Sequence, residues 1–293
     1  MEDRSVKTCE DINPIQNLKM HESVTFAGEG GRDKDAFTDE ARAFTENDAG
    51  VISEASVDSG DVGYNIFLSA NPVLSNVRGQ RQKEATKNEA GHYLSSSLML
   101  AVGAEHDDQK RNVFVSIQNA HTIACEGNRQ PYVQTGYETV AAQRVDDIFC
   151  YTAKEDGKVT SFNDKAITID YLSGEKKGVY LGRRYGNAEG STYPHDIKTF
   201  LKEGDTFVKG DVIAYNEGYW EQDFLDPRKV VLKMGMMAMT AFEESALTHE
   251  DSCGVSLELA DKLKAKTTKV KSFIVKFTQN LHDVHKPGTG GDP

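Results

Sequence analysis

The chain has 293 residues, 38% of them apolar, which is enough for a sizeable core in one large or two ordinary domains. Its formal net charge of −12 argues against a free-standing protein that wraps nucleic acid, because phosphate contacts need Lys and Arg. No apolar run approaches the roughly 18 residues that cross a bilayer, and the acidic N-terminus is no signal peptide, so the sequence reads as soluble and intracellular.

Four cysteines, at 9, 125, 150 and 253, make no C-x-x-C pair, so they read as buried free thiols and not as a zinc ribbon or disulfide framework. Charge is uneven along the chain. Residues 1–60 hold 14 Asp and Glu against 6 Lys and Arg, while Lys262, Lys264, Lys266, Lys269, Lys271 and Lys276 form a basic run, either a solvated face or a phosphate-facing one.

In chain order, the first 60 or so residues are polar, glycine-bearing and poorly periodic, which predicts loops and short helices, one of them near Asp33 to Phe44. Ser59-Gly60-Asp61 and Gly63 supply a turn inside the stretch Ser56 to Pro72. Residues 78–92 are polar and partly basic, suited to an exposed helix or linker. From Ala141 the periodicity shifts toward two: Val159 to Tyr171 reads as a β-hairpin around Asn163-Asp164, and Val179 to Tyr185 continues the sheet. Glu203 to Asn216 has the spacing G-D-x-x-x-x-G-D-V-I-A, with short Val and Ile strands between glycine turns. Carrier domains of the biotinyl type use a similar pattern, but no exposed M-K-M or D-K-A hairpin follows. Val230 to Leu232 and the methionine-rich run to Met239 are expected to enter the core. Beyond them Leu257 to Leu263 reads as a short amphipathic helix and Lys269 to Thr278 as a strand.

Residues 105–138, EHDDQKRNVFVSIQNAHTIACEGNRQPYVQTGYE, join an acidic His-containing turn, one arginine and a Thr-Gly-Tyr-Glu corner. This stretch resembles the catalytic-barrel region of the β subunit of multisubunit DNA-directed RNA polymerases, where E-H-D-D, two residues, Arg, and then T-G-[MY]-E follow one another. Further motifs resemble the same family in the same order: Asn13-Pro14 with Gly28, Gly30 and Gly31; Tyr180 to Ala214, ending G-D-V-I-A; and Phe242-Glu243-Glu244-Ser245 for F-E-D-S. Ser56 to Pro72 departs from the family's T-P-E-G-P-N-I-G-L, since its proline pair is gone. The resemblance implies an α+β, β-rich fold: a fork-loop region over residues 1–75, a linker and helix over 76–104, then an incomplete double-psi β-barrel with inserted sandwich- or hammerhead-like strands over 105–285. Residues 286–293 would be a flexible tail.

The same resemblance implies a chemistry. Arg111 takes the position of an arginine that grips the incoming nucleotide's phosphates, a task suited to a planar guanidinium that stays charged at any working pH. Glu243 and Glu244 take the place of the Glu-Asp pair near the nucleotide-bound Mg2+, with Glu244 reaching the second magnesium through water. His121, Gln118, Asn13 and Thr25 fall among nucleic-acid contacts; Tyr137 and Glu138 look architectural. Read on their own, Arg111 is a salt bridge to Asp107 or Asp108, and Glu243-Glu244 a solvated turn.

The metal-binding N-A-D-F-D-G-D motif is absent, so the chain is expected to be inactive alone. It would act with other β fragments and β′-like subunits, DNA template, RNA product and nucleoside triphosphates, as in the split polymerases of very large bacteriophages, in the infected cell or the virion. The family pattern stops near Val284, which suggests an interrupted gene behind the tail HKPGTGGDP. Glu10, Met20, Ser23 and Thr25 replace residues that line the family's rifamycin pocket, and insensitivity to that class follows. The alternative is a non-catalytic β-barrel structural protein or degenerate paralogue that keeps the fold without the chemistry.

Overall fold

The computed structural model describes residues 8–57, 59–76, 79–80, 89–188, 191–242, 252–268 and 272–279. Helix α1 (Pro14–His21) starts where Asn13, in an extended conformation, turns its side-chain oxygen onto the Ile15 and Gln16 amides at 2.6 and 3.1 Å. Pro14 costs nothing at the first helical position, because its missing N–H would have been unpaired there anyway. Ile15 and Leu18 face the core.

Strands β1 (Ser23–Thr25), β2 (Ile52–Ser56) and β3 (Asn65–Leu68) form an antiparallel sheet in the order β1-β3-β2. Loops and short helices do make up most of the described part of the first 60 residues, as expected, but the short strands β1 and β2 were not foreseen. The signal was weak for a physical reason: the inward residues of β2 are Ser53 and Ala55, whose small side chains carry no hydrophobic alternation. Two short helical turns do fall where a helix was expected, a 3-10 turn over Lys34–Ala36 and α2 (Asp39–Arg42). In the β2–β3 turn Gly63 has φ +70°, and a Cβ there would lie 2.4 Å from the Arg42 carbonyl oxygen, so the position needs glycine twice over.

Helix α3 (Gln109–Ala120) follows the acidic turn and α4 (Tyr137–Ala141) follows the Thr-Gly corner. The remainder is mostly sheet. Strands β4 (Cys150–Thr152), β5 (Gly157–Asn163), β6 (Ala166–Tyr171), β7 (Lys176–Tyr180), β8 (Gly182–Ala188) and β9 (Ser191–Lys198) precede β10 (Thr206–Phe207), β11 (Val212–Asn216), β12 (Trp220–Gln222) and β13 (Val230–Leu232). They pair antiparallel as β10-β5-β6-β7, β4-β11-β9-β8 and β12-β13. The fold is α+β and β-rich, and among the described residues no sheet closes into a barrel.

Two apolar clusters hold these layers. One unites Ile15 and Leu18 of α1 with Ala141, Phe149, Trp220, Val230 and Leu232. The other lies between the two four-stranded sheets, around Val159, Ile167, Ile169 and Ile213. A buried histidine ties the chain's start to the sheets: His195 of β9 meets the Asp11 carbonyl through Nε2 at 2.5 Å and receives the Asn216 amide on Nδ1 at 2.7 Å. Those partners assign the proton to Nε2, and burial pushes its pKa down, so the ring is neutral scaffold.

Val230 to Leu232 are buried, but the methionine run does not follow them: Met234 packs against the core while Met237 and Met239 are exposed. The amphipathic helix forms as α5 (Leu257–Lys262). Of the strand expected over Lys269 to Thr278, residues 269–271 lie outside the described residues, and 272–278 form no strand, since no neighbouring strand pairs with them among the described residues. Of the four thiols only Cys150 is buried; Cys9 and Cys253 are exposed. No helix among the described residues is long and apolar enough to cross a membrane.

Candidate nucleic-acid interface

Helix α3 is built to show one face and anchor the other. Its start is set by Asp108, whose side chain accepts the Lys110 amide at 3.2 Å. Asn112, Ser116 and Ala120, four residues apart, are buried. Asn112 donates to the Ala104 carbonyl at 3.0 Å, and Asn119 donates to the Ser97 carbonyl at 3.4 Å. From the other side the Asn13 amide donates to the carbonyls of Asn119 and Thr122 at 3.2 and 2.6 Å and to the Thr122 hydroxyl at 3.0 Å. These bonds fix the helix about its own axis.

The outward face then carries Arg111, Phe114 and Gln118, spaced three and four apart, with His121 at the helix end; all four are exposed. At about 1.5 Å per residue this row runs roughly 15 Å. Arg111 makes no ion pair among the described residues. The bridge to Asp107 or Asp108 does not form, since Asp107 accepts the Asp108 amide at 2.8 Å and Asp108 is engaged as the cap. The guanidinium is thus left with its full set of donors beside the positive end of a helix. Phe114 is 53% exposed, an aromatic face held open one turn along.

The structure therefore brings together Arg111, Gln118 and His121 of the predicted contacts and adds Phe114, whose signal was its spacing of three from Arg111 and four from Gln118. Asn13 and Thr25 are placed elsewhere. Asn13 is 2% exposed with both ends of its amide occupied, so it positions α3 and does not face a ligand. Thr25 ends β1, half-buried, and its hydroxyl accepts the Ala27 amide at 3.1 Å. Glu243 and Glu244 lie outside the described residues; Phe242, just before them, is fully exposed.

The Thr-Gly-Tyr-Glu corner is architectural. Glu138 is fully buried and accepts the Thr135 and Gly136 amides at 3.0 and 2.8 Å, while the Thr135 hydroxyl donates to the Met99 carbonyl at 2.7 Å. The Tyr137 hydroxyl meets Ser96 at 2.9 Å, and Ser96 and Arg144 in turn engage the buried carboxylate of Glu22, with Arg144 at 3.3 Å. Burial raises the Glu22 pKa despite those bonds. Sequence reasoning missed this network because its members sit as far apart as positions 22 and 144.

The basic run is partly neutralised in place. Lys262 pairs with Glu258 at 2.8 Å, Lys264 with Asp261 at 2.8 Å and Lys266 with Glu126 at 3.6 Å. Among the described residues no group of three His, Cys, Asp or Glu side chains could hold a metal ion. What the α3 face can do unaided is grip a phosphate through Arg111, stack a base on Phe114 and offer polar atoms to base edges or sugars through Gln118 and His121. No protein-family model matches the chain.

Proposed function

We propose that the chain is a fragment of the β subunit of a multisubunit DNA-directed RNA polymerase of split type, which supplies nucleotide-phosphate and hybrid contacts to an active centre completed by partner chains. The observation that carries this reading is the anchored helix α3, on which the one arginine singled out by the motif makes no ion pair among the described residues and stands in line with Phe114, Gln118 and His121. In this reading the antiparallel sheets of residues 150–232 are parts of an incomplete double-psi barrel, closed by strands from other subunits.

The role of each residue follows from its chemistry. Arg111 holds the triphosphate in two places and neutralises charge that grows on the leaving phosphates. Phe114 supports a base of the hybrid by stacking, and Gln118 and His121 set register along the strand. Magnesium, held mainly by a partner's aspartates, supplies the Lewis acid for nucleotidyl transfer. Glu243 and Glu244 carry oxygen donors suited to that ion's water shell. Asn13 holds the helix that carries Arg111.

The test is RNA synthesis by the purified assembly containing Arg111→Ala. A charge-assisted bond of about 1.5–3 kcal/mol predicts a loss of roughly 10- to 100-fold in kcat/KM, with Arg111→Lys intermediate. The exposed side chain has no hydrogen-bond or ion-pair partner among the described residues, so the melting temperature is expected to stay unchanged. Undiminished synthesis would overturn the reading, and a chain that purifies as a lone monomer without partners would favour the non-catalytic structural alternative.

A further inference from the structure

A cavity of about 340 Å³ opens between the segment that follows α3, strand β9 and the turn after β11, with Cys125, Tyr193 and Tyr219 in its wall. That volume falls in the range of small-ligand sites, roughly 300–1,000 Å³. Two cations line it without counter-charges. The Lys233 ammonium is half-buried and meets no hydrogen-bond acceptor or carboxylate among the described residues. Arg129 gives one N–H to the Asn128 carbonyl at 2.8 Å, and its other side-chain donors are open among the described residues. The backbone sets the two side by side, since the Arg129 amide donates to the Gly235 carbonyl at 2.6 Å and the Met234 amide to the Arg129 carbonyl at 3.2 Å.

The acids that line the cavity are engaged with other cations. Asp196 accepts both arms of Arg183 at 2.9 Å, Glu217 pairs with Lys198 at 2.5 Å and Glu126 with Lys266 at 3.6 Å. Burial pulls the Lys233 pKa down although Glu221 and Glu217 oppose it, as expected of an ammonium held partly out of water with no counter-charge in contact.

We propose that this cavity binds a phosphate group carried on an organic ligand, gripped by Arg129 and Lys233 together. The guanidinium fork takes two phosphate oxygens and leaves a third for the ammonium, whereas a carboxylate has no third oxygen to give. Lys264 and Lys266 also line the cavity; their ion pairs with Asp261 and Glu126 are solvent-exposed, contribute little and yield readily to an arriving anion. The character of the carrier is set next door. Arg129 and Glu126 also border a second cavity of about 900 Å³, lined by Tyr132, Phe224, Met234 and Met236, where a ring joined to the phosphate lies against aromatic and thioether side chains. A free nucleotide and the phosphorylated end of a nucleic-acid strand share this chemistry. Neither cavity is lined by the α3 face, and no partner chain is required, so the inference stands apart from the polymerase reading.

Thermal shift and calorimetry on the full chain, with adenosine 5′-monophosphate (AMP), adenosine and inorganic phosphate as probes, test the proposal. AMP raises the melting temperature and binds more tightly than either of its parts. Lys233→Met keeps the apolar stem and removes the charge; it lowers AMP affinity roughly 10- to 100-fold without lowering the melting temperature of the free protein, because no bond within the chain is lost. Arg129→Gln, at an exposed position, weakens AMP by a similar factor and decides the matter should Lys233→Met melt early. Bound AMP slows alkylation of Cys125 in the cavity wall and leaves that of exposed Cys253 unchanged. An RNA tetranucleotide with a 5′-phosphate that displaces AMP identifies a strand end as the source, and one that does not identifies a free nucleotide; both results keep the site. Absence of AMP binding, adenosine binding as tightly as AMP, or variants at 129 and 233 that bind AMP like the wild type would overturn the proposal. Inorganic phosphate binding as tightly as AMP would overturn the organic carrier.

Discussion

Asn13→Ala separates a clamp from a contact residue. The Asn13 oxygen caps α1 through the Ile15 and Gln16 amides, and its nitrogen holds the far end of α3 through the carbonyls of Asn119 and Thr122. Losing the cap costs about 1 kcal/mol. The Asn119 carbonyl keeps the Thr122 hydroxyl at 2.5 Å, so the main orphan is the Thr122 carbonyl, which adds about 1–3 kcal/mol. The sum is about 2–4 kcal/mol, equivalent to a fall of roughly 5–10 °C in Tm for a chain of this size. Trp220, the sole tryptophan, is fully buried in the core that α1 packs against, so its fluorescence reports the transition directly. Asn13→Asp retains the cap but sets a carboxylate against two carbonyls, and it too is destabilised. An Asn13→Ala variant that melts with the wild type but binds nucleic acid less tightly would refute this reasoning and return Asn13 to the interface.

Phe114→Ala removes a stacking surface worth about 1–3 kcal/mol per base, so affinity for a single-stranded RNA oligonucleotide at fixed salt should fall roughly 5- to 100-fold with no change in Tm; fluorescence anisotropy measures it, and unchanged affinity would remove Phe114 from the interface. Glu22 has its pKa raised above its ordinary value of 4.5, chiefly by burial. The folded state therefore holds that proton more tightly than the unfolded one, and this group's contribution to stability falls as pH rises from about 4.5 through the raised folded value. Urea midpoints measured from pH 4.5 to 7 should show a fall that Glu22→Gln lessens, the rest belonging to Glu54, whose pKa burial also raises, and parallel pH profiles for the two proteins would contradict the assignment. Alkylation should reach Cys253 first and Cys9 next, whose thiol is pushed up by partial burial and by Asp146 and Asp11, and should spare buried Cys150 until the chain unfolds. Peptide mapping over time shows the order.

Much of the β-rich portion was legible because its residues carry a strong period. Val159 to Tyr171 alternates around a two-residue polar turn and forms β5 and β6; Val212 to Asn216 and Val230 to Leu232 are apolar runs flanked by turns and form the buried strands β11 and β13. The first sheet was hidden because Ser53 and Ala55 face inward. The methionine run misled for the opposite reason: apolar composition does not say which side of the molecule a segment passes, and Met237 and Met239 lie on the outside. In the site, Arg111, Gln118 and His121 share a face because positions seven and ten apart on a helix must. Nothing local reveals that Asn13 is committed to Asn119 and Thr122, more than 100 positions away.

In the proposed function Arg111 faces a nucleoside triphosphate in a pocket that other chains complete. A cryo-EM structure of the assembly with a bound, non-hydrolysable nucleoside triphosphate tests it most directly. The Arg111 guanidinium is expected in hydrogen-bond contact with the phosphate oxygens, at about 2.7–3.2 Å, with Glu243 and Glu244 beside the same phosphates. A triphosphate bound on another surface, with Arg111 in solvent or against a partner's carboxylate, would contradict it.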